Sequence, residues 1–425
     1  MTMDAMVVTG GCRLKGRVRA SGAKNAALPI MAASILAEGP MRLKNVPDLM
    51  DIRTMARLLG QLGVRVEREE SSGDLLLECR SERRSVAPYS IMRTMRAGIC
   101  VLGPLVARRG FAEVSLPGGC AIGDRPVDLH LKGLRALGAR LDIKHGYIVA
   151  RCRRLRGTEM YLGGPFGSTV TGTANILMAA VLAKGETVIE SAACEPEVQD
   201  LARLLVKMGA DIQGIGSPRL VVEGVDGLGG AEHTIIPDRI EAGTLLVAGA
   251  ATGGDVVVEG ARWNDLFALV HVLREAGAEI EHFDDTIRVR ARGTLRSVDV
   301  TTLPFPGFPT DLQAQAMAML TKADGISVIT EKIYPDRFMH VAELGRMGAR
   351  IRKEGNAAVV HGTRRLSGAP VMASDLRASA ALVIAGLMAE GRTTISRIYH
   401  LDRGYERIER KLAALGATIR RVKEK

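Results

Sequence analysis

A single cysteine inside a glycine-rich stretch is the first candidate for chemistry. Residues 116–129 read LPGGCAIGDRPVDL, so three glycines surround Cys120. Glycine at this density predicts a mobile loop whose backbone can approach a ligand closely. Arg125 and the start of a predicted helix follow, and both favour the thiolate form of a nearby cysteine. We therefore predict that Cys120 serves proton transfer or nucleophilic attack, and the alternative is a small residue in a tight turn.

Several charged residues stand at or near the starts of other predicted helices. Lys24 lies in SGAKN just before an apolar run, and Asp311 ends the proline-rich stretch PFPGFPTD. Arg377 and Arg403 stand near the starts of later helical segments, and Arg96 has no obvious partner in the sequence. Helix N-termini and arginine side chains both bind anions, which fits a ligand with several negative groups. The alternatives are a surface lysine at Lys24 and a helix N-cap at Asp311.

A recurring pattern predicts the elements that must hold these residues. Six alanine-rich apolar runs, each followed by a short β-branched strand, occur at 26–39, 97–110, 174–185, 242–253, 312–325 and 378–391. Each run is apolar around its whole circumference, which predicts a buried helix that stops at its final glycine. Amphipathic second helices end at Gly63, Gly138, Gly209, Gly277, Gly348 and Gly416. These glycines are 75, 71, 68, 71 and 68 residues apart, so we predict six related units with buried helices inside and strands outside.

The length of the chain indicates the number of domains, and its charge indicates the kind of ligand. A chain of 425 residues exceeds what one hydrophobic core usually serves, so six units predict two domains of three units. The stretch 233–241 is the best candidate for the crossover between them. The net charge of +11 comes from Lys and Arg scattered among Asp and Glu, without interleaved aromatic residues. We therefore expect small anionic ligands and no nucleic acid.

Cysteines, histidines and apolar runs indicate the compartment and the cofactors. The six cysteines form no Cys-x-x-Cys pair, which indicates reduced thiols in a cytoplasmic protein. The eight histidines show no metal-ligand spacing, so we expect no metal and no other cofactor. The apolar runs are too short to span a bilayer, so no membrane partner is expected. The oligomeric state stays open.

Several separated motifs together resemble a known family. They read SGAKNAALP at 21–29, PGGCAIG at 117–123, RPVDLH at 125–130, GFPTDLQAQ at 307–315, DLRAS at 375–379 and HLDRGYERIE at 400–409. From Val7 to Val422 the chain resembles the bacterial UDP-N-acetylglucosamine 1-carboxyvinyltransferases. These are the enolpyruvyl transferases of the first committed step of peptidoglycan synthesis.

The resemblance implies a particular α/β fold. It is a two-domain inside-out α/β barrel with six βαβαββ repeats, three per domain, around buried helices. Residues 22–236 would form one enolpyruvyl transferase domain with the mobile Cys120 loop. Residues 1–21 together with 237–425 would form the second such domain. Closure of the domains over the sugar nucleotide would expel water and bring in the Cys120 loop.

The resemblance also implies a reaction. The enolpyruvyl group of phosphoenolpyruvate would pass to the 3-hydroxyl of UDP-N-acetylglucosamine, with release of phosphate through a tetrahedral addition intermediate. Cys120 would be a general acid that can form an adduct with phosphoenolpyruvate and is the target of fosfomycin. Asp311 would act as the base toward the sugar hydroxyl.

The same resemblance assigns the binding residues. Lys24, Arg125 and Arg403 would hold the phosphate and the carboxylate. Arg377 would add positive charge. The contacts to the nucleotide sugar would come from Asn25, Arg96, Arg125, Pro126, Val127, Asp128, Leu129, Asp311 and Ile333.

Two other functions stay open. A shikimate 3-phosphate enolpyruvyl transferase would share the repeats and phosphoenolpyruvate but would use no loop cysteine, so Cys120 argues against it. A non-catalytic sugar-nucleotide-binding paralogue would lack at least one of the proposed catalytic residues, all of which are present. The sequence departs from the family pattern at Asp124 and in the run 164–175, GPFGSTVTGTAN, so contacts to the uridine diphosphate in that run stay unassigned.

Overall fold

The chain divides into two compact units. The structure is a computed structural model that describes residues 4–118 and 127–424. One unit contains residues 22–118 and 127–236, and the other contains residues 4–21 and 237–424. Each unit has its own aliphatic core. The chain therefore passes from one unit to the other after Ser21 and returns after Ile236.

Helices are distributed along the whole of the described chain. The α-helices are α1 (Lys24–Ala33), α2 (Met50–Gln61), α3 (Tyr89–Met92), α4 (Leu102–Arg109), α5 (Asp128–Ala136), α6 (Val170–Ala180), α7 (Pro196–Lys207), α8 (Arg239–Ala251), α9 (Trp263–Glu275), α10 (Thr310–Leu320), α11 (His340–Arg346), α12 (Leu376–Met388) and α13 (Ile408–Ala414). Two 3-10 helices span Arg96–Val101 and Ile398–Arg403.

Strands alternate with the helices. They are β1 (Asp4–Thr9), β2 (Lys15–Arg19), β3 (Met41–Lys44), β4 (Val64–Arg68), β5 (Leu75–Cys79), β6 (Val86–Ala87), β7 (Phe111–Ser115), β8 (Arg140–Lys144), β9 (Tyr147–Arg151), β10 (Glu159–Tyr161), β11 (Gly163–Gly164), β12 (Gly167–Ser168), β13 (Glu186–Glu190), β14 (Asp211–Gln213), β15 (Arg219–Glu223), β16 (Glu232–Thr234), β17 (Asp255–Glu259), β18 (Glu279–Phe283), β19 (Thr286–Arg290), β20 (Val300–Thr301), β21 (Ile326–Thr330), β22 (Arg350–Glu354), β23 (Ala357–His361), β24 (Pro370–Met372), β25 (Arg392–Ser396) and β26 (Thr418–Lys423).

Three four-stranded sheets in each unit share one pairing pattern. A parallel pair comes first, and two antiparallel strands follow it. In the unit of residues 22–236 the orders are β16-β3-β5-β4, β6-β7-β9-β8 and β10-β13-β15-β14. In the other unit they are β2-β17-β19-β18, β20-β21-β23-β22 and β24-β25-β1-β26. The fold is therefore mixed α/β with many small sheets.

The N-terminal strand completes a sheet that the end of the chain builds. β1 lies between β25 and β26 and is antiparallel to both strands. Val8 lies opposite Thr393 on one side and Ile419 on the other. The last sheet thus obtains its third strand from residues near position 1.

One buried helix coincides with each apolar run, although the bounds differ from those predicted. α1, α4 and α6 lie in the core of one unit, and α8, α10 and α12 lie in the core of the other. The run 97–110 is split into a 3-10 helix and α4, because Pro104 has no N–H to donate and fits only the first turn of a new helix. The prediction that each run stops at its glycine is wrong at Gly39, Gly185 and Gly325, since α1, α6 and α10 end at Ala33, Ala180 and Leu320.

The six closing glycines explain how the second helices end. In each case the glycine follows the residue that caps the helix, and its φ lies between 85° at Gly63 and 109° at Gly209. This left-handed conformation costs a residue with a Cβ about 1 kcal/mol or more, whereas glycine adopts it freely. The chain can therefore turn directly from each helix into the next strand.

Candidate active site

Asp311 lies between two buried arginines. Oδ1 of Asp311 accepts a hydrogen bond from Nη1 of Arg337 at 2.8 Å, and Oδ2 accepts one from Nη2 of Arg377 at 2.8 Å. Arg337 and Arg377 are 4% and 2% exposed, while the aspartate side chain keeps 26% of its surface accessible. Two buried cations thus hold the carboxylate, and about a quarter of its side-chain surface stays accessible.

The first turns of two interior helices position this pair. Asp311 is the second residue of α10, which follows a proline-rich turn with a cis Phe305–Pro306 bond. Pro309 occupies the N-cap position, so the alternative that Asp311 caps the helix is wrong. Arg377 is the second residue of α12, whose N-cap Asp375 accepts hydrogen bonds from the first backbone amides of that helix. Capping therefore fixes the direction in which Arg377 leaves the helix.

The electrostatics of the cluster favour an ionised Asp311. Burial raises the pKa of this carboxyl, but the charges of Arg377 and Arg337 outweigh burial and hold the pKa well below its usual value. Two buried N–H groups of the arginines, Nη1 of Arg377 and Nε of Arg337, have no hydrogen-bond partner in the described part of the chain. Unpaired buried donors are costly, so they mark a place where an anion can bind.

A polar network joins the three interior helices beside this cluster. Nε2 of Gln315 on α10 lies 3.1 Å from both Thr244 Oγ1 on α8 and Tyr405 Oη. The Thr244 hydroxyl already donates to the carbonyl of Ile240, so the Tyr405 hydroxyl donates to Thr244 at 3.0 Å. The guanidinium of Arg377 lies over the Tyr405 ring. These contacts fix the rotamers around Asp311.

Two further predicted residues belong to the same unit. Ile333 is half-buried in the turn after β21. Arg403 is the last residue of the second 3-10 helix and is half-buried, two residues before Tyr405. The prediction that it stands near the start of a helix is wrong, because α13 begins only at Ile408.

In the other unit, Lys24 begins the interior helix α1. Its side chain is buried, and Nζ lies 3.2 Å from Oδ2 of Asp51 in the first turn of α2. The alternative of a surface lysine is therefore wrong. Asn25 is the next residue and is exposed. Both residues lie at the N-terminal end of α1, where the helix dipole favours anions.

A buried histidine organises the start of α5. Val127 occupies the N-cap position, Asp128 is exposed in the first turn, and Leu129 is half-buried. Nδ1 of His130 accepts from Nδ2 of Asn175 at 2.9 Å, so Nε2 carries the proton and faces Thr171 Oγ1 at 3.3 Å.

Asn175 ties this helix to the neighbouring elements. Its Oδ1 accepts from the amide of Gly103 at 2.6 Å, and its Nδ2 also donates to the carbonyl of Ile99 at 2.9 Å. Burial, with a smaller contribution from the charge of Arg96, lowers the pKa of His130 to about 4. Arg96 itself starts the 3-10 helix that carries Ile99 and is half-buried. The network thus couples the start of α5 to the segment of Arg96.

Three predicted residues, Cys120, Arg125 and Pro126, lie outside the described residues. The other five cysteines are free thiols. Burial raises the pKa of Cys100 to about 12, and burial also raises that of Cys194. Among the described residues, no group of three or more His, Cys, Asp or Glu side chains is arranged to hold a metal ion. No described helix is long and apolar enough to cross a membrane.

The sequence analysis missed several residues of these clusters. Arg337 stands in YPDRF without helical or strand periodicity, and its partner Asp311 is 26 residues away. Asp51 lies in the first turn of α2, and its partner Lys24 is 27 residues away. Asn175 offered the clearest signal, because it is an amide within an apolar run and a buried amide needs partners.

Comparison with known proteins places these clusters in a family. The family model of EPSP synthase (3-phosphoshikimate 1-carboxyvinyltransferase) matches residues 8–412. The chain belongs to this enolpyruvyl transferase family. A relative in the same family, the UDP-N-acetylglucosamine 1-carboxyvinyltransferase of Magnetococcus marinus, is 55% identical over 421 residues. That match covers 99% of this chain and 100% of the relative.

Solved structures of enolpyruvyl transferases share the fold. The enolpyruvyl transferase NikO from Streptomyces tendae matches with a TM-score of 0.89 at 24% identity, over 100% of both chains. EPSP synthase from Acinetobacter baumannii matches with a TM-score of 0.76 at 18% identity, over 99% of this chain and 100% of the other. At these identities the likeness establishes the enolpyruvyl transferase fold.

Proposed function

We propose that this enolpyruvyl transferase transfers the enolpyruvyl group of phosphoenolpyruvate to the 3-hydroxyl of UDP-N-acetylglucosamine and releases phosphate. The observation that carries the choice of acceptor is the full-length relative of that name, at 55% identity. The EPSP synthase of Acinetobacter baumannii is only 18% identical. The reaction would be the first committed step of peptidoglycan synthesis.

The chemistry that we propose has two steps, addition and elimination. In the addition, Cys120 gives a proton to C3 of phosphoenolpyruvate while the sugar oxygen bonds to C2 and loses its proton toward Asp311. In the elimination, the Cys120 thiolate would take a proton back from C3, the double bond would re-form, and the C2–O bond to phosphate would break, with the phosphate taking the proton held by Asp311. Charge stabilisation of the intermediate would supply much of the barrier reduction.

The surroundings of Asp311 support its part in this scheme. The carboxylate is ionised near neutral pH, so it can accept a proton. Each oxygen accepts one hydrogen bond from a buried arginine, so the orientation of the carboxylate is fixed. The arginines also make the carboxylate a weak base, so the proton would move only as the new C–O bond forms.

We propose that lysine and arginine side chains hold the anionic groups of the substrates. Lys24, Arg125 and Arg403 would take the phosphate and carboxylate, and Arg377 would add charge. Each charged hydrogen bond contributes roughly 1.5–3 kcal/mol, so several are needed to offset desolvation of such anionic ligands. The sugar nucleotide would contact Asn25, Arg96, Arg125, Pro126, Val127, Asp128, Leu129, Asp311 and Ile333.

The arrangement of the repeats in each unit and the cellular compartment of the protein are also proposals. We propose that each unit is an enolpyruvyl transferase domain of three βαβαββ repeats, arranged as an inside-out barrel around its buried helices. The shared pairing pattern of the six sheets supports this arrangement. We also propose a cytoplasmic location, supported by free thiols at the five described cysteines.

Phosphate release with two acceptors tests the proposed function. Purified protein is incubated with phosphoenolpyruvate and either UDP-N-acetylglucosamine or shikimate 3-phosphate. We expect phosphate release only with the sugar nucleotide. Release with shikimate 3-phosphate would assign the protein to the other reaction, and tight binding of the sugar nucleotide without release would identify a non-catalytic binding protein.

A further inference from the structure

Glu331 is a fully buried carboxylate surrounded by donors. Its Oε1 accepts from Thr302 Oγ1 at 2.6 Å and from the backbone amides of Ile333 and Tyr334 at 2.8 and 2.9 Å. Its Oε2 accepts from Thr310 Oγ1 at 2.8 Å. All four partners are neutral, and 0% of the residue is exposed. A buried carboxyl group whose partners among the described residues are all neutral depends on its hydrogen bonds, so these must be important to the fold or to the site.

The Thr310 hydroxyl connects Glu331 to the Asp311 cluster. Because this hydroxyl gives its only proton to Glu331, its oxygen is left to accept. Nη1 of Arg337 donates to that oxygen at 3.0 Å and to Asp311 Oδ1 at 2.8 Å. The two protons of a single guanidinium nitrogen are therefore shared between Thr310 and Asp311. Loss of either acceptor would free the arginine to rotate.

The same carboxylate also fixes the turn after β21. The amides of Ile333 and Tyr334 both point at Oε1, which makes the turn fold around the side chain of Glu331. Ile333 is a predicted contact of the sugar nucleotide. Two separate parts of the candidate site, the Asp311–Arg337 pair and the Ile333 turn, thus depend on one buried residue.

We propose that Glu331 is a positioning residue that holds Arg337 against Asp311 through Thr310 and holds the Ile333 turn through its amides. This assignment rests on the proposed function of the site, because that function gives Arg337, Asp311 and Ile333 their roles. Glu331 reaches neither substrate in this scheme. It aligns the groups that do, and small misplacements of aligned groups cost large factors in rate.

Substitutions at Thr310 separate positioning from folding. Thr310→Val keeps the size of the side chain and removes the hydroxyl, while Thr310→Ser keeps the hydroxyl. We expect Thr310→Val to lower kcat for phosphate release by roughly tenfold or more and Thr310→Ser to recover most of the loss. Thr418→Val, at an exposed position of β26, is the matched control and leaves kcat unchanged.

Glu331→Gln tests the second contact. We expect this variant to lower kcat as Thr310→Val does, and in addition to raise the KM for UDP-N-acetylglucosamine but not for phosphoenolpyruvate. Crystal structures of the wild type and of Thr310→Val show the position of Arg337 without a measurement of activity. In the variant we expect Arg337 Nη1 to have moved away from Asp311 Oδ1.

The outcomes distinguish this inference from the proposed function. No phosphate release by the wild type with UDP-N-acetylglucosamine would refute the function, and the crystal structures would still decide the positioning role. An Arg337–Asp311 contact of unchanged length in Thr310→Val would overturn the inference. So would a folded Thr310→Ser variant that is as slow as Thr310→Val.

Discussion

Arg377 donates from Nη2 to Oδ2 of Asp311 across 2.8 Å, and the two residues are 66 positions apart in the chain. The arginine is buried, and the aspartate side chain keeps 26% of its surface accessible. A buried ion pair of this kind stabilises the fold weakly as a pair but is costly to break, because the remaining charge stays desolvated. The Arg377–Asp311 contact therefore matters both for the stability of the fold and for the proposed reaction.

Arg377→Met should lower both stability and activity. Asp311 would lose one of the two buried arginines that pair with it, so we expect the free energy of unfolding to fall by about 3 kcal/mol. Phosphate release should fall by roughly two orders of magnitude, since charge that stabilises the intermediate is lost. Urea denaturation and the phosphate assay measure the two effects.

Arg350→Met serves as the control for this prediction. Arg350 is an exposed residue on β22 of the same unit. Its substitution should change the free energy of unfolding by less than about 0.5 kcal/mol. If Arg377→Met behaved like this surface variant in urea, the buried contact would contribute nothing to stability.

His130 should make stability depend on pH between its two pKa values. In the folded chain, burial and then the charge of Arg96 lower the pKa from 6.5 to about 4. Between these values the unfolded chain binds a proton that the folded chain does not, so stability falls as the pH falls. From pH 7.5 to 5.0 we expect the stability advantage of the wild type over His130→Gln to shrink by about 2 kcal/mol.

Denaturation curves at the two pH values measure this change. His271→Gln is the matched control, because His271 is an exposed histidine on α9. At pH 7.5 the wild type and this control should differ in stability by less than about 0.5 kcal/mol, because the residue is exposed. A constant difference between the wild type and His130→Gln would mean that the buried imidazole binds a proton as readily as the unfolded one.

Cys120→Ser should abolish alkylation by fosfomycin. The prediction follows from the family resemblance of the PGGC motif at 117–120. Mass spectrometry of the protein after incubation with fosfomycin measures the adduct, with Cys152→Ser as the control variant at another free thiol. We expect full labelling of the control, and labelling that persisted in Cys120→Ser would place the reactive thiol elsewhere.

The buried helices could be predicted because their signal is local. An apolar run such as 312–325 has no polar face, so it can only be buried, and α10 occupies most of it. The first and last residues of these helices were less predictable, because helix ends depend on contacts with other segments of the chain. The run 26–39 contains only α1, after which the chain bends and Ala37 pairs with Leu228 from a distant segment. No property of the run itself reveals that partner.

The candidate site was predictable only in part for the same reason. Lys24, Asp311 and Arg377 stood out because a charge beside an apolar run is unusual, and all three lie in first helical turns. Arg337 and Glu331 lie in an irregular segment whose sequence shows no periodicity. Both residues matter because they contact α10. These contacts form only in the folded structure, so the spacing of residues in the sequence does not reveal them.

The position of β1 between β25 and β26 sets an order of events during synthesis. During synthesis β1 has no partner until residues 392–423 have left the ribosome. At a translation rate of about 5–20 residues per second, this delay is roughly 20–80 s. The unit of residues 22–236 carries all the strands of its own sheets, so it can finish folding during the wait. An apolar segment at the N-terminus must therefore be shielded from aggregation until the last strand emerges.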